Sequence, residues 1–230
     1  MRGPSGPVFA RVATRYDLIN RILSLGRERK WRASGVRRLP PGLILDLGCG
    51  TGAADFEGRH AVGLDPVVEM LALSPAARRV AGAGEELPFR DDSFDGAFSA
   101  FVLRNLASID RTLDETARVL KPGAVLVVIG LSRPVNPALR LIHRVGTAIA
   151  LPLTGLVAAG APREYWYLHK SLDSLPPPEE MLEGRSLQLA ATWRMGLFGF
   201  VYGATLVKTG RSTPTRGSEA ADRDPAVEAR

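Results

Sequence analysis

Cysteine is all but missing: Cys49 is the one thiol in 230 residues. No intramolecular disulfide can form, and zinc clusters built on several thiolates are excluded. A reducing compartment suits such a chain. Long hydrophobic runs are missing too. The longest low-charge stretch, VGTAIALPLTGLVAAGA at 145–161, is broken by Gly146, Pro152 and Gly155 and falls short of a membrane span. It is expected to be buried or interfacial. Residues 1–15 carry Arg2, Arg11 and Arg15 without a continuous apolar core, so no secretory leader is read in them.

Acidic charge is nearly absent from one end. Residues 1–38 hold ten Arg or Lys against Asp17 and Glu28, whereas the last twenty residues balance four Arg with four acids. The net charge of +6 therefore has its source at the N-terminus. Basic surface of this kind attracts anionic lipid, nucleic acid or an acidic substrate. No RNA-binding appendage is recognisable, so no nucleic-acid partner is expected.

The pattern of apolar residues divides the chain. Phe9, Val12, Tyr16, Ile19 and Leu23 form one helical stripe over 8–25, and a second helix is predicted over 28–38, before Pro40 and Pro41. Strands are then predicted at 42–48, 60–65, 94–103 and 123–131, the last fully apolar and valine-rich as in a parallel sheet. A helix at 108–120 separates the last two. Ser108 is placed to cap it, and the KPG at 121–123 to end it. Residues 136–184 read as mostly helical and apolar. Strands at 186–195 and 200–208 are close enough to pair as a hairpin, and 211–230 reads as a disordered, charge-balanced tail. Strands alternating with helices imply βαβ units and a parallel sheet.

Chemistry concentrates where the first strand ends, in DLGCGTG at 46–52. Gly48, Gly50 and Gly52 let backbone approach a ligand, and the carboxyl end of a strand in an open α/β sheet is where ligands bind. Asp65 ends the next strand, where a carboxylate accepts both hydroxyls of a ribose, so a nucleoside-containing cofactor is expected. Gly48, Gly50 and Ala53 also satisfy the dinucleotide pattern G-x-G-x-x-G/A. Asp46 weighs against that reading: a carboxylate repels a pyrophosphate and attracts a sulfonium or an ammonium. S-adenosylmethionine carries both cations. Residues 53–61 leave room for a crossover helix of barely two turns.

These residues belong to a wider set: F-x-x-V-A-x-R-Y-D-L-I-N-x-x-L-S-L-G (9–26), W-R (31–32), LPFRDDSFD (87–95), LRN (103–105), RVLKPG (118–123) and Y-W-Y-L-x-x-S (165–171). On these motifs the chain resembles the ubiquinone/menaquinone biosynthesis C-methyltransferase family from about residue 9 to 208. The resemblance implies a Rossmann-like class I methyltransferase of the α/β class. Its mostly parallel seven-stranded sheet would carry an antiparallel C-terminal hairpin and helices on both faces. Residues 1–40 would form a helical lid or basic segment. Residues 41–210 would form the methyltransferase domain, with a helical insert at about 136–184. The implied reaction moves a methyl group from S-adenosylmethionine to a ring carbon of a polyprenylated quinol, a demethylmenaquinol or a ubiquinol precursor. Thr51 and Asp65 match family cofactor positions, beside Asp46, Gly48, Gly50 and Gly52. This chain departs from the family at Ala83-Gly84, where Asp or Asn usually precedes Ala; the adenine-side contact would pass to Glu85 or to backbone. It departs again at Ala100, where Ser is frequent, and at Trp166, which replaces a cation. Tyr16 lies on the lid helix.

A ring carbon becomes nucleophilic when a neighbouring phenol loses its proton. The protein must hold carbon and methyl about 3–3.5 Å apart and favour the phenolate. Arg104 and Asn105 are the candidates for that second task; Tyr165, His143 and His169 are candidates for the base. A quinol with a prenyl tail also calls for a cytoplasmic protein peripheral to the inner face of the cell membrane. The basic N-terminal helix and the 145–161 segment are placed to meet lipid, and a homodimer is compatible with the chain. Two other classes fit the same fold. One is an S-adenosylmethionine methyltransferase for a different lipid or small molecule; the other is a non-catalytic protein that binds a ligand or nucleic acid.

Overall fold

The computed structural model describes residues 21, 24–159, 172–173, 176–182 and 186–209. Among them seven strands form one sheet: β1 (Leu43–Leu47), β2 (His60–Asp65), β3 (Arg79–Ala81), β4 (Phe94–Ala100), β5 (Leu120–Leu131), β6 (Leu187–Met195) and β7 (Val201–Lys208). Their order in space is β3-β2-β1-β4-β5-β7-β6. The first five run parallel, and β7 is antiparallel to both β5 and β6. The helices are α1 (Glu28–Val36), α2 (Val68–Leu73), α3 (Ile109–Val119), α4 (Pro137–Ala159) and α5 (Pro178–Met181).

Side chains alternate across a strand, so each strand feeds two cores. Leu45, Leu47, Ala97, Leu126 and Val128 face one side and pack with Ala117 of α3. Ile44, Phe98, Val127 and Ile129 face the other and pack under Trp31 and Val36 of α1. Gly35 permits the close approach of α1, because a Cβ there would lie 2.8 Å from the Phe98 ring. Helices on both faces and a seven-stranded, mostly parallel sheet match the expected architecture. On α3, Ser108 caps the start, accepting from the Arg111 N–H at 3.2 Å.

Four local expectations need correction. The strand predicted over 94–103 stops at Ala100, because Phe101 takes the left-handed φ of 66° and turns the chain out of the sheet. The strand predicted from 123 begins at Leu120, and KPG lies inside it: Leu120 pairs with Phe94, then the register shifts before Val125 meets Gly96. The short crossover helix expected over 53–61 is a loop. Arg59 holds that loop in place of a helix, donating to the carbonyls of Pro40, Phe56 and Leu39 at 3.0–3.1 Å. Between Asp65 and Leu87, α2 and the three-residue β3 were not foreseen. The stripe over 8–25 and the tail over 211–230 lie outside the described residues.

Candidate active site

The chain runs outward from β1 to β2 and β3, then returns to β4 on the other side of β1. The crevice beyond the carboxyl ends of β1 and β4 is thus a topological switch point, where open α/β sheets bind ligands. Two segments border it: the glycine turn after β1 and residues 101–105 after β4.

In the first segment Gly48 has φ 70°, and a Cβ on it would lie 2.4 Å from Val102 Cγ2. Only glycine lets the turn nest against the chain leaving β4. The Gly48 and Cys49 N–H groups donate to the Leu64 carbonyl at 2.8 and 3.1 Å. Gly50 and Val67 N–H donate to Asp65 Oδ2 and Oδ1, each at 2.9 Å. Asp65 is therefore held by backbone on both sides while each oxygen keeps acceptor capacity for a hydroxyl. Burial raises its carboxyl pKa, and those two donors oppose the rise. Thr51 is buried beside the same turn.

Asp46 is a different carboxylate. It is buried and accepts no hydrogen bond among the described residues. Burial pushes its pKa up to about 7, against the pull of the Arg32 guanidinium and with a further push from Asp65. An ionised Asp46 is best satisfied by a cation brought to it.

Arg32, on α1, is a residue that the sequence reading missed; only its place in the W-R pair marked it. Its guanidinium carbon lies 5.1 Å from the centroid of the Phe101 ring. Its Nε is shielded from solvent without a hydrogen-bond partner, which marks a donor awaiting an acceptor. With Arg21, Arg29, Thr51, Gly52 and Asp55 it lines a cavity of about 1020 Å³ between α1 and the glycine turn. Asp46 and Asp65 stand behind the glycine turn and do not line that cavity; with Arg32 Nε and a cavity this size beside them, they supply the groups that an adenosyl sulfonium with an amino-acid tail calls for.

The other predicted cofactor positions divide. Gly84 is pressed against α3, where a Cβ would lie 2.9 Å from Thr112 Cγ2. Glu85 Oε1 accepts from the N–H groups of Ala107 and Ser108 at 2.7 and 3.1 Å, so its carboxylate supports the start of α3. The backbone of Ala83 and Gly84 remains as the other expected contact. Ala100 is buried in the α1-side core. Tyr16 lies outside the described residues.

In the second segment, Leu103–Asn105 forms a 3-10 turn, with the Asn105 N–H donating to the Val102 carbonyl at 2.7 Å. Arg104 is thus carried on a turn, four residues past the strand end. Its Nε and Nη1 are shielded from water. It shares a small recess with Phe101, Leu131 and Tyr202, whose buried hydroxyl is held neutral by a raised pKa. Tyr165 and His169 lie outside the described residues. His143 stacks on Phe200 with ring centroids 5.1 Å apart, and its Nδ1 lies 3.3 Å from Arg133 Nη1, which is a packing role.

Comparison with known proteins agrees with this geometry. Residues 5–190 match the ubiE/COQ5 methyltransferase family. The ubiquinone/menaquinone biosynthesis C-methyltransferase UbiE of Syntrophotalea carbinolica is 39% identical over 76% of this chain and 81% of its own length. A demethylmenaquinone methyltransferase of Roseiflexus sp. is 35% identical over 88% of this chain and 91% of its own. In fold, the chain resembles a SAM-dependent methyltransferase of Thermotoga maritima, with a TM-score of 0.57 at 18% identity over 88% of this chain and 98% of that one. A SAM-dependent methyltransferase of Aquifex aeolicus gives 0.51 at 16% identity over 84% and 98%. The methyl donor is S-adenosylmethionine. With the family model spanning most of the chain and relatives this similar over most of their length, the chain belongs to the ubiE/COQ5 methyltransferase family.

Proposed function

We propose that this protein methylates a ring carbon of a polyprenylated quinol, a demethylmenaquinol or a ubiquinol precursor, in respiratory quinone biosynthesis. The observation that carries the reading is Arg104, with Nε and Nη1 shielded from water, at the switch point of a family whose relatives are named for such quinones. Bound S-adenosylmethionine supplies an electrophilic methyl group on a sulfonium. Asp65 orients the donor by accepting its ribose hydroxyls, with Thr51 and the glycine turn beside it. Asp46 would meet the donor's cationic end, and Arg32 would donate to its carboxylate. Arg104 stabilises the quinol oxyanion, and Asn105 donates a second hydrogen bond to it. A donor shielded from water acts at low dielectric and is preorganised for the charge that develops. Tyr165 is the proposed proton acceptor. A quinol with a prenyl tail places the protein at the cytoplasmic face of a membrane, as a peripheral protein. The test is methyl transfer to demethylmenaquinol and to a benzoquinol analogue, for wild type and Arg104→Ala. Transfer to neither ring by the wild type sinks the reading.

A further inference from the structure

Helix α4 is amphipathic the wrong way round. Its start is capped by Asn136, whose Oδ1 accepts from the N–H groups of Ala138 and Leu139 at 2.9 and 3.2 Å. Its inner side is polar: Thr147 and His143 meet Nη1 of buried Arg133, whose Nε pairs with Asp173 at 2.8 Å. Its outer side is aliphatic. Leu141 is 63% exposed, Ile142 57%, Val145 54% and Ile149 65%. At helical spacing these four fall within one arc of about 100°, the width of stripe that a helix ordinarily turns toward a core.

A second element shows the same kind of surface. The β6–β7 connection, residues 196–200, exposes Leu197 and Phe198, and Phe198 holds the left-handed φ of 60°. A bulky residue in that region is strained, and such strain persists where the surroundings impose it. The His143–Phe200 stack joins this tip to α4. Both elements sit beside the recess of Arg104: Leu131 lines that recess, and the next residue, Ser132, donates its N–H to the Phe200 carbonyl at 2.9 Å.

We infer that the outer face of α4 and the 197–198 tip together form a docking surface for an anionic lipid bilayer, on the side of the molecule that carries Arg104. Charge selects this occupant. Arg144 is exposed at one edge of the aliphatic arc, where its Nε lies 3.4 Å from Asp173 Oδ2, Arg140 is exposed further round the helix, and residues 137–159 contain no Asp or Glu. Aliphatic side chains flanked by arginines suit acyl chains beneath anionic headgroups. Among the described residues no helix is long and apolar enough to cross a membrane. The inference rests on the quinol reading for its purpose and on the exposed face for its location.

The test is flotation of the full-length protein with vesicles of phosphatidylcholine alone and of phosphatidylcholine with phosphatidylglycerol. Wild type is expected to float with the anionic vesicles and poorly with the neutral ones. Leu141→Ser/Val145→Ser/Ile149→Ser should weaken that partition about tenfold or more, and Phe198→Ser by a smaller factor. Arg140→Gln/Arg144→Gln should flatten its dependence on salt. All these positions are exposed, so melting temperatures should stay near wild type; if the triple variant does not fold, Phe198→Ser and the arginine pair decide. Turnover of a short-tailed, soluble quinol should be unchanged. Undiminished flotation of the variants overturns the proposal. So does a wild-type dimer that the triple variant makes monomeric, because a second copy then covers the face. Failure of the wild type to methylate the soluble quinol would instead count against the quinol reading, whatever the vesicles show.

Discussion

The strand ends on the two sides of the switch point carry opposite charge. On the β1–β2 side, Asp46 and Asp65 stand behind a glycine turn whose Gly50 N–H donates to Asp65. On the β4–β5 side, a guanidinium is carried on a 3-10 turn among Phe101, Leu131 and Tyr202. The difference suits the proposed reaction: carboxylates would meet a cationic donor, and arginine would meet an acceptor that must become anionic. The carboxylates themselves differ. Asp65 has two backbone donors and a defined orientation; Asp46 has none among the described residues and sits near neutrality when the cavity holds no cation.

The largest separation of the two sides is expected from Arg104→Ala. It should lower kcat by about 10²–10³, the usual cost of one oxyanion donor, with little change in S-adenosylmethionine affinity by calorimetry. A parallel loss of affinity would mean that the two sides are not distinct. Next in size, Asp65→Ala should weaken the donor's binding by roughly 10- to 100-fold, as expected for losing charged hydrogen bonds, while saturating donor restores most of kcat. Arg32→Gln should weaken S-adenosylhomocysteine by about tenfold, the scale of one charged hydrogen bond, and leave 5′-methylthioadenosine, which lacks the amino-acid tail, unaffected. Equal losses for both ligands would make Arg32 a structural residue of α1.

The smallest effect is the pH dependence of donor affinity. Below about pH 7 Asp46 is protonated and must release its proton to meet a cation. Affinity for S-adenosylmethionine should therefore fall as pH drops through 7, by at most about tenfold per unit, and level off above it. Asp46→Asn should abolish that slope. The stability sign is the reverse: with its pKa raised by folding, Asp46 favours the cofactor-free fold at low pH, and that contribution is lost as pH rises toward 7. Titrating S-adenosylmethionine between pH 5.5 and 8.5 measures the first, and thermal melts over the same range measure the second.

Regularity explains what was legible in the sequence. β2 has the predicted bounds, β6 and β7 differ from theirs by one residue at one end and β1 by one at each end, because apolar runs between turn residues leave few alternatives. The β4 end was misread because FVL continues the apolar pattern while Phe101 leaves the strand through a single backbone torsion, which composition does not record. β3 has three residues, too few for periodicity. The Arg59 clamp that replaces a crossover helix joins residues about twenty positions apart, and no local pattern announces it. The glycine turn and its acids were visible because their spacing is local. Arg32 was not, since it joins the site from another element and looks in sequence like any other arginine of a basic helix. The inverted face of α4 was hidden because its whole run is apolar and only packing selects a side.

Cys49 closes the glycine turn with its thiol buried against Gly63, where a Cβ would lie 2.8 Å from Sγ. Burial raises its pKa well beyond the ordinary range, and the charges of Asp46 and Asp65 add to the rise. Only a thiolate attacks electrophiles readily. Quinols oxidise to quinones, which alkylate exposed thiolates. Burial, with the carboxylates proposed to receive the methyl donor adding to it, therefore keeps the chain's one thiol un-ionised and a poor nucleophile toward such quinones.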